Sequence, residues 1–527
     1  MTYFGPDFFA LFLPLVALIY AIMPSKVRPY VLLVSSYIFF CSISEKLIIY
    51  LLISTMSIHH FGLWLDKLQC ERKLAMKGLT REEKKPVKLA NDRQQNFVLA
   101  FAVVLHIGLL AVLKYTPFFT QNLNAILANF NVQVKEVSFM VPIGISFYTL
   151  QAVSYMTDVR RGVVKADKNL ARLALYMSFF PQIMEGPIAR YSDTAESLFA
   201  GKQIEYKNFV YGFERIVYGF VKKIIVADRL NGFVQNVFTD YEKYDGGIIL
   251  LASVFYTIEL YMDFSGAMDV GIGAAQIFGV KLPENFRQPF FSKNISDFWS
   301  RWHITLGTWF RDYIYYPVSL SSFSKKLTSF GRKRSGNYFG PMLASTIALF
   351  CVWICNGLWH GSAWTYIFFG MYHFVLISLG NLLEPLSKKF YCKLHIDPNK
   401  APVSIIRIVL TSFLVVIGEL FFCASTLTQG FRMSGKIFTQ FSLDGIRNRL
   451  VTDAGLDHLD IIVVMVVVAL VFIFGILKEK NIDIREKLAG KPLVIRWFIV
   501  IAAIVAIIVF GAYGAEYTPV APMYADF

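Results

Sequence analysis

Apolar residues fall in blocks close to the ~20 residues an α-helix needs to cross a bilayer, separated by shorter polar stretches. The pattern places candidate spans at 6–24, 29–45, 47–65, 97–114, 138–157, 171–185, 208–227, 248–262, 266–280, 341–359, 364–383, 403–424, 460–477 and 495–513. Segments 171–185 and 266–280 are short, and are expected to be re-entrant or enclosed by protein, because irregular backbone is not tolerated against lipid. No polar stretch is long enough to fold alone, so 1–527 is read as one membrane domain. The expectation is an all-α polytopic membrane protein with about 11–14 transmembrane or re-entrant helices.

One stretch breaks the pattern. Residues 281–335 are too polar to span, yet dense in aromatic residues. Trp299, Trp302, His303, Leu306, Phe310 and Tyr313 share one face at helical spacing, which predicts an amphipathic helix, with Ser296 placed to cap it.

Composition agrees with a membrane location: 55% of residues are hydrophobic and 17% charged, against about 25% charged in soluble chains. The net charge of +15 lies mainly in loops. It is therefore read as a topology signal, not as a nucleic-acid surface, and it also suits lipid or a phosphorylated donor. Segment 66–96 holds nine Lys/Arg and is expected to be cytoplasmic, as are 158–170, 384–402 and 478–494. Counting spans from these segments puts both termini outside. The N-terminus lacks the basic region of a signal peptide and reads as a retained span. The six cysteines show neither a disulfide framework nor zinc spacing, and no metal is expected. No internal repeat is visible, unlike transporters built from two related halves.

Among eight histidines, His360 stands apart. It lies in Trp353-Ile354-Cys355-Asn356-Gly357-Leu358-Trp359-His360-Gly361-Ser362-Ala363-Trp364, between glycines that weaken a helix and permit close approach. An ionisable group at such a position inside a membrane marks a functional candidate, although a buried hydrogen-bonded histidine fits equally well on these residues alone. His303 is the second candidate. His59, His60, His106, His395 and His458 read as structural, and His373 as packing. Asp263 and Ser265, in Tyr261-Met262-Asp263-Phe264-Ser265-Gly266, fall at an expected break between apolar runs. Glu185 sits in Pro181-Gln182-Ile183-Met184-Glu185-Gly186-Pro187. Both acidic sites are read either as lining a water-filled cavity or as structural pairs. No serine nucleophile elbow, phosphate loop or His-Glu-x-x-His is present.

Ordered motifs across residues 140–375 resemble the membrane-bound O-acyltransferase family, in its bacterial polysaccharide branch. They are Val141-Pro142-Ile143-Gly144-Ile145-Ser146-Phe147-Tyr148, Ser178-Phe179-Phe180-Pro181-Gln182, Gly186-Pro187-Ile188, Asp263-Phe264-Ser265-Gly266 and Pro283-Glu284-Asn285-Phe286. The densest are Phe298-Trp299-Ser300-Arg301-Trp302-His303-Ile304-Thr305-Leu306, Trp309-Phe310-Arg311-Asp312-Tyr313-Ile314-Tyr315 and Asn356-Gly357-Leu358-Trp359-His360-Gly361. The resemblance implies a helical bundle around a central funnel, with His360 catalytic and His303 the second functional histidine. It also suggests that Trp299, Arg301, Trp302, Arg311, Asp263, Ser265, Asn285, Asn356 and Trp359 line a substrate or donor funnel, with Trp364 on its wall.

The resemblance further implies O-acetylation of an extracytoplasmic polysaccharide, in the bacterial cytoplasmic membrane. No permanent cofactor is implied; acetyl-CoA or another acyl thioester is the donor, and an extracytoplasmic acetyltransferase- or esterase-like protein is the partner. Pro317-Val318-Ser319-Leu320-Ser321-Ser322 departs from the branch's Gly-Gly-Asn-Arg stretch, and Glu185 stands where the family has a small or apolar residue. Both departures bear on which polymer is modified. D-alanyl transfer from a carrier protein to teichoic acid is the nearest alternative. A transporter or proton-coupled channel and a non-catalytic scaffold are distant ones.

Overall fold

A computed structural model describes residues 1–448, 450–513 and 520. Among them every regular element is helical, and eight helices are long and apolar enough to cross a membrane. These are Arg28–Ala75, in which Arg28–Ser44 and Ile48–Ala75 are joined through a turn at Glu45–Leu47, then Arg81–Phe130, Gly246–Ile277, Gly336–His360, Trp364–Lys393, Ala401–Cys423, His458–Glu479 and Leu493–Phe510, with the shorter apolar Asp7–Ile22 preceding them. The C-terminal tail expected outside the cell falls largely beyond the described residues.

Two expectations about where spans end and break change. Segment 66–96 is mostly helix, not loop: Ile48–Ala75 carries its first third, and Arg81–Leu127 begins at a capping box between Thr80 and Glu83. Lys, Arg and Glu are good helix formers, so polarity ends the apolar run without ending the helix. The expected break at Asp263–Gly266 is likewise absent, because Gly246–Ile277 is continuous. Its charges are met from the side by lysines, and the backbone has no need to open.

The described chain forms two compact units. The first comprises Met1–Ile216 and Val270–Pro283. Phe8, Phe12, Phe39 and Phe180 pack ring against ring, and the Tyr3 hydroxyl donates to the Phe180 carbonyl at 2.6 Å. The short helices Leu170–Ser178 and Phe180–Ile183 are buried, as expected of 171–185. Gly144 has φ +77°, and a side chain there would collide with the Ile183 carbonyl. His106 takes the structural role read from the sequence, 3.2 Å from the hydroxyls of Ser54 and Ser57.

The second unit comprises Val217–Asp269 and the chain from Glu284. The chain kinks at Gly336 (φ +79°), and the helix that follows, Gly336–His360, approaches Trp364–Lys393 closely through glycine. A Cβ on Gly357 would lie 2.6 Å from the Tyr366 carbonyl, and one on Gly370 would strike the Trp353 carbonyl. The amphipathic segment is two short helices, Ile295–Arg301 and Ile304–Phe310, not one. The first is capped by Asn294, whose side chain accepts from the Asp297 amide, and not by Ser296. Helices His458–Glu479 and Leu493–Phe510 bury almost nothing, which suits lipid-facing elements.

Candidate active site

The break between the two short helices places His303. Its φ of +46° lies in the left-handed region, uncommon for a residue with a Cβ, and the chain around it is tied to a neighbouring segment. The Arg287 amide donates to the Arg301 carbonyl at 2.9 Å, and the Ile304 amide to the Asn285 carbonyl at 3.0 Å. The Asn285 side chain then fixes the ring. Its Oδ1 accepts from the Thr305 amide (3.0 Å) and the Thr305 hydroxyl (2.9 Å), and lies 3.2 Å from His303 Nδ1. An amide oxygen only accepts, so Nδ1 carries the proton and the lone pair of the neutral ring is at Nε2. Burial pushes the His303 pKa down to about 3, which keeps the ring neutral at physiological pH.

His360 is the last residue of helix Gly336–His360 and is also buried. Gly361 follows because the Tyr366 ring occupies the space a Cβ would need. Trp359 lies against both histidines, with ring centroids 5.5 Å from His303 and 5.0 Å from His360. Phe264 closes on His303 at 4.8 Å, and Phe422 on His360 at 5.0 Å. The structure therefore brings His303, His360, Trp359 and Asn285 together in one apolar enclosure. Asn356 is buried one turn before His360, and Trp299 packs against Trp353 and Phe369. Trp302 packs among Phe286, Phe298 and Tyr261.

Other expected site residues lie elsewhere. Arg301 is committed to Asp297 at 2.8 Å and Glu479 at 2.7 Å. Arg311 is more than half exposed and pairs with neighbouring Asp312, and Trp364 is 54% exposed, so neither stands in the enclosure. Asp263 and Ser265 belong to a buried ion network. Lys223 Nζ lies 2.8 Å from both Asp263 and Asp228, while Lys222 donates to Ser265 at 2.8 Å and pairs with Asp269. Asn231 donates to Glu259 at 2.7 Å beside them. Glu185 is buried in the first unit. Sequence reasoning missed the lysines and Phe422: two adjacent lysines inside an apolar run were the available signal for the former, and Phe422 carried none.

A helical membrane scaffold enclosing two histidines on one tryptophan defines a polytopic membrane protein with a buried imidazole pair. The model of the membrane-bound O-acyltransferase family matches residues 161–331, a stretch that includes His303. The chain is 30% identical over 83% of its length to a probable alginate O-acetylase of Azotobacter vinelandii, covering 78% of that protein. It is 34% identical to a teichoic acid D-alanyltransferase of Bacillus subtilis, over 54% of this chain and 68% of that one. It is 29% identical to a peptidoglycan O-acetyltransferase of Helicobacter pylori, over 56% and 57% of the two chains. The chain belongs to the membrane-bound O-acyltransferase family and is an O-acyltransferase.

Proposed function

We propose that this enzyme passes an acetyl group from cytoplasmic acetyl-CoA across the bacterial cytoplasmic membrane, for O-acetylation of an extracytoplasmic polysaccharide. The observation that carries the reading is the pair of buried imidazoles against Trp359, one with its tautomer fixed by Asn285. His360 takes the proton of the acceptor hydroxyl as its oxygen attacks the thioester carbonyl. The C–O bond forms, the C–S bond breaks, and the proton passes to the departing thiolate on the cytoplasmic side. General-base help of this kind is worth about 10²–10⁴ in rate. His303 accepts at Nε2 and so orients the acceptor hydroxyl; a neutral ring with its proton on Nδ1 cannot donate from Nε2 to polarise the carbonyl. The aromatic enclosure excludes water that would hydrolyse the thioester.

Alginate O-acetylase and peptidoglycan O-acetyltransferase relatives support an acetyl group and a polymer acceptor. Basic segments 66–96, 384–402 and 478–494 support a cytoplasmic donor side with both termini outside. An extracytoplasmic acetyltransferase- or esterase-like partner completes transfer to the sugar. D-alanyl transfer is the second reading, favoured by the D-alanyltransferase likeness over 54% of the chain. The purified protein, added back to membranes and polymer of the deletion strain that still hold the partner, and given labelled acetyl-CoA or D-alanyl carrier protein, separates the two. His360→Ala is expected to abolish transfer with membrane expression intact; normal polymer acetylation in that variant would overturn the assignment.

A further inference from the structure

His373, on helix Trp364–Lys393, packs as expected, but not as a satisfied core residue. It is fully buried, and its ring lies 4.9 Å from Trp299, 4.7 Å from Phe369, 5.2 Å from Tyr372 and 5.5 Å from Trp353. Neither Nδ1 nor Nε2 has a hydrogen-bond partner among the described residues. A phenyl ring would fill the same cage without the cost of desolvating two nitrogens. The cage shares a wall with the active site, since the Phe369 ring packs against His360, centroid to centroid 6.0 Å, as well as against His373. Two further buried atoms nearby lack partners among the described residues: Trp299 Nε1, whose ring lies against His373, and Asn356 Oδ1, one turn from His360.

These groups have a definite chemistry. An indole N–H only donates, an amide oxygen only accepts, and an imidazole does both. Together they match secondary amides, each of which offers one donor and one acceptor. A pantetheine arm carries two such amides and is common to coenzyme A and carrier-protein thioesters. We propose that His373, with Trp299 and Asn356, binds the amide-bearing pantetheine arm of the donor and so positions its thioester beside His360. This rests on the acyl-thioester reading and holds for either acyl group. Gly418, on helix Ala401–Cys423, backs the ring: a Cβ there would lie 2.9 Å from His373 Nε2.

The test measures binding of S-acetonyl-CoA, a non-cleavable thioether, to the purified full-length protein by calorimetry. Turnover of acetyl-CoA and of S-ethyl thioacetate, which has no amide, is followed in parallel. His373→Phe is expected to keep or raise the melting temperature while weakening S-acetonyl-CoA binding at least about tenfold. KM for acetyl-CoA rises in step, with kcat within about twofold, and use of S-ethyl thioacetate is unchanged. His373→Asn restores part of the binding. Gly418→Ala, which displaces the imidazole without removing it, weakens binding in the same way and serves if His373→Phe fails to fold. Wild-type binding in both variants would overturn the proposal and leave acyl transfer standing, as would an equal loss of turnover with both donors. Failure of the wild-type protein to bind either S-acetonyl-CoA or a phosphopantetheinylated carrier thioester would overturn the donor reading, and this inference with it.

Discussion

At the scale of single residues, Asn285 decides which nitrogen of His303 holds the proton. Replacing it with Ala leaves His303 Nδ1 and both Thr305 donors without their shared acceptor. Each buried orphan costs about 1–3 kcal/mol, so Asn285→Ala is expected to lower the melting temperature and cut turnover at least about tenfold. Thermal unfolding in detergent and a transfer assay check the two effects. His303 also leaves a mark on acid stability. Its folded pKa of about 3 lies below the ordinary value of 6.5, so the unfolded chain binds a proton there that the folded chain refuses. The stability from keeping the ring neutral is whole above pH ~6.5 and is lost as pH falls toward ~3. In His303→Gln the fall in melting temperature over that window is expected to be shallower than in the wild type. An identical slope would contradict a neutral buried ring.

At the scale of elements, the close pairing of Gly336–His360 with Trp364–Lys393 holds His360 in place, and glycine permits it. Gly370→Ala drives a methyl into the Trp353 carbonyl, whereas Gly380, on the same helix, has open space around it. Gly370→Ala is therefore expected to lower the melting temperature and activity, and Gly380→Ala to do neither. The lysine network gives a second contrast. Lys223→Met strands Asp228 and Asp263, and breaking such a buried pair costs about 3–5 kcal/mol. Lys223→Met with Asp263→Leu and Asp228→Asn is expected to recover most of that loss in the same unfolding measurement. Neither arrangement was legible in the chain. Lys222 meets Ser265 across 43 positions, and a lysine beside apolar residues reads locally as the end of a span. The short helices around His303 were misread for a related reason: a period-matched aromatic face survives a one-residue break, and the positive φ at His303 has no glycine to announce it.

At the scale of the whole molecule, the apolar blocks and the Trp-His-Gly stretch were legible because span length and local polarity need no knowledge of partners. The orientation expected from the basic segments can be checked with native cysteines. Cys70 and Cys392 are exposed, within or beside basic stretches. A membrane-impermeant maleimide is expected to leave both unlabelled in intact cells and to label both after permeabilisation; labelling of either in intact cells would reverse the topology. Gly246–Ile277 is a single uninterrupted rod that presents Phe264 to His303 while Asp263 and Asp269 hold the two lysines. A rod transmits rotation without slack. One alanine inserted near Leu260 would swing every later side chain by about 100°, turning Phe264 from the imidazole and the carboxylates from their counter-ions in a single stroke. An insertion or deletion in this helix therefore disturbs the imidazole contact and the electrostatic anchor together, whereas a point substitution can alter one alone.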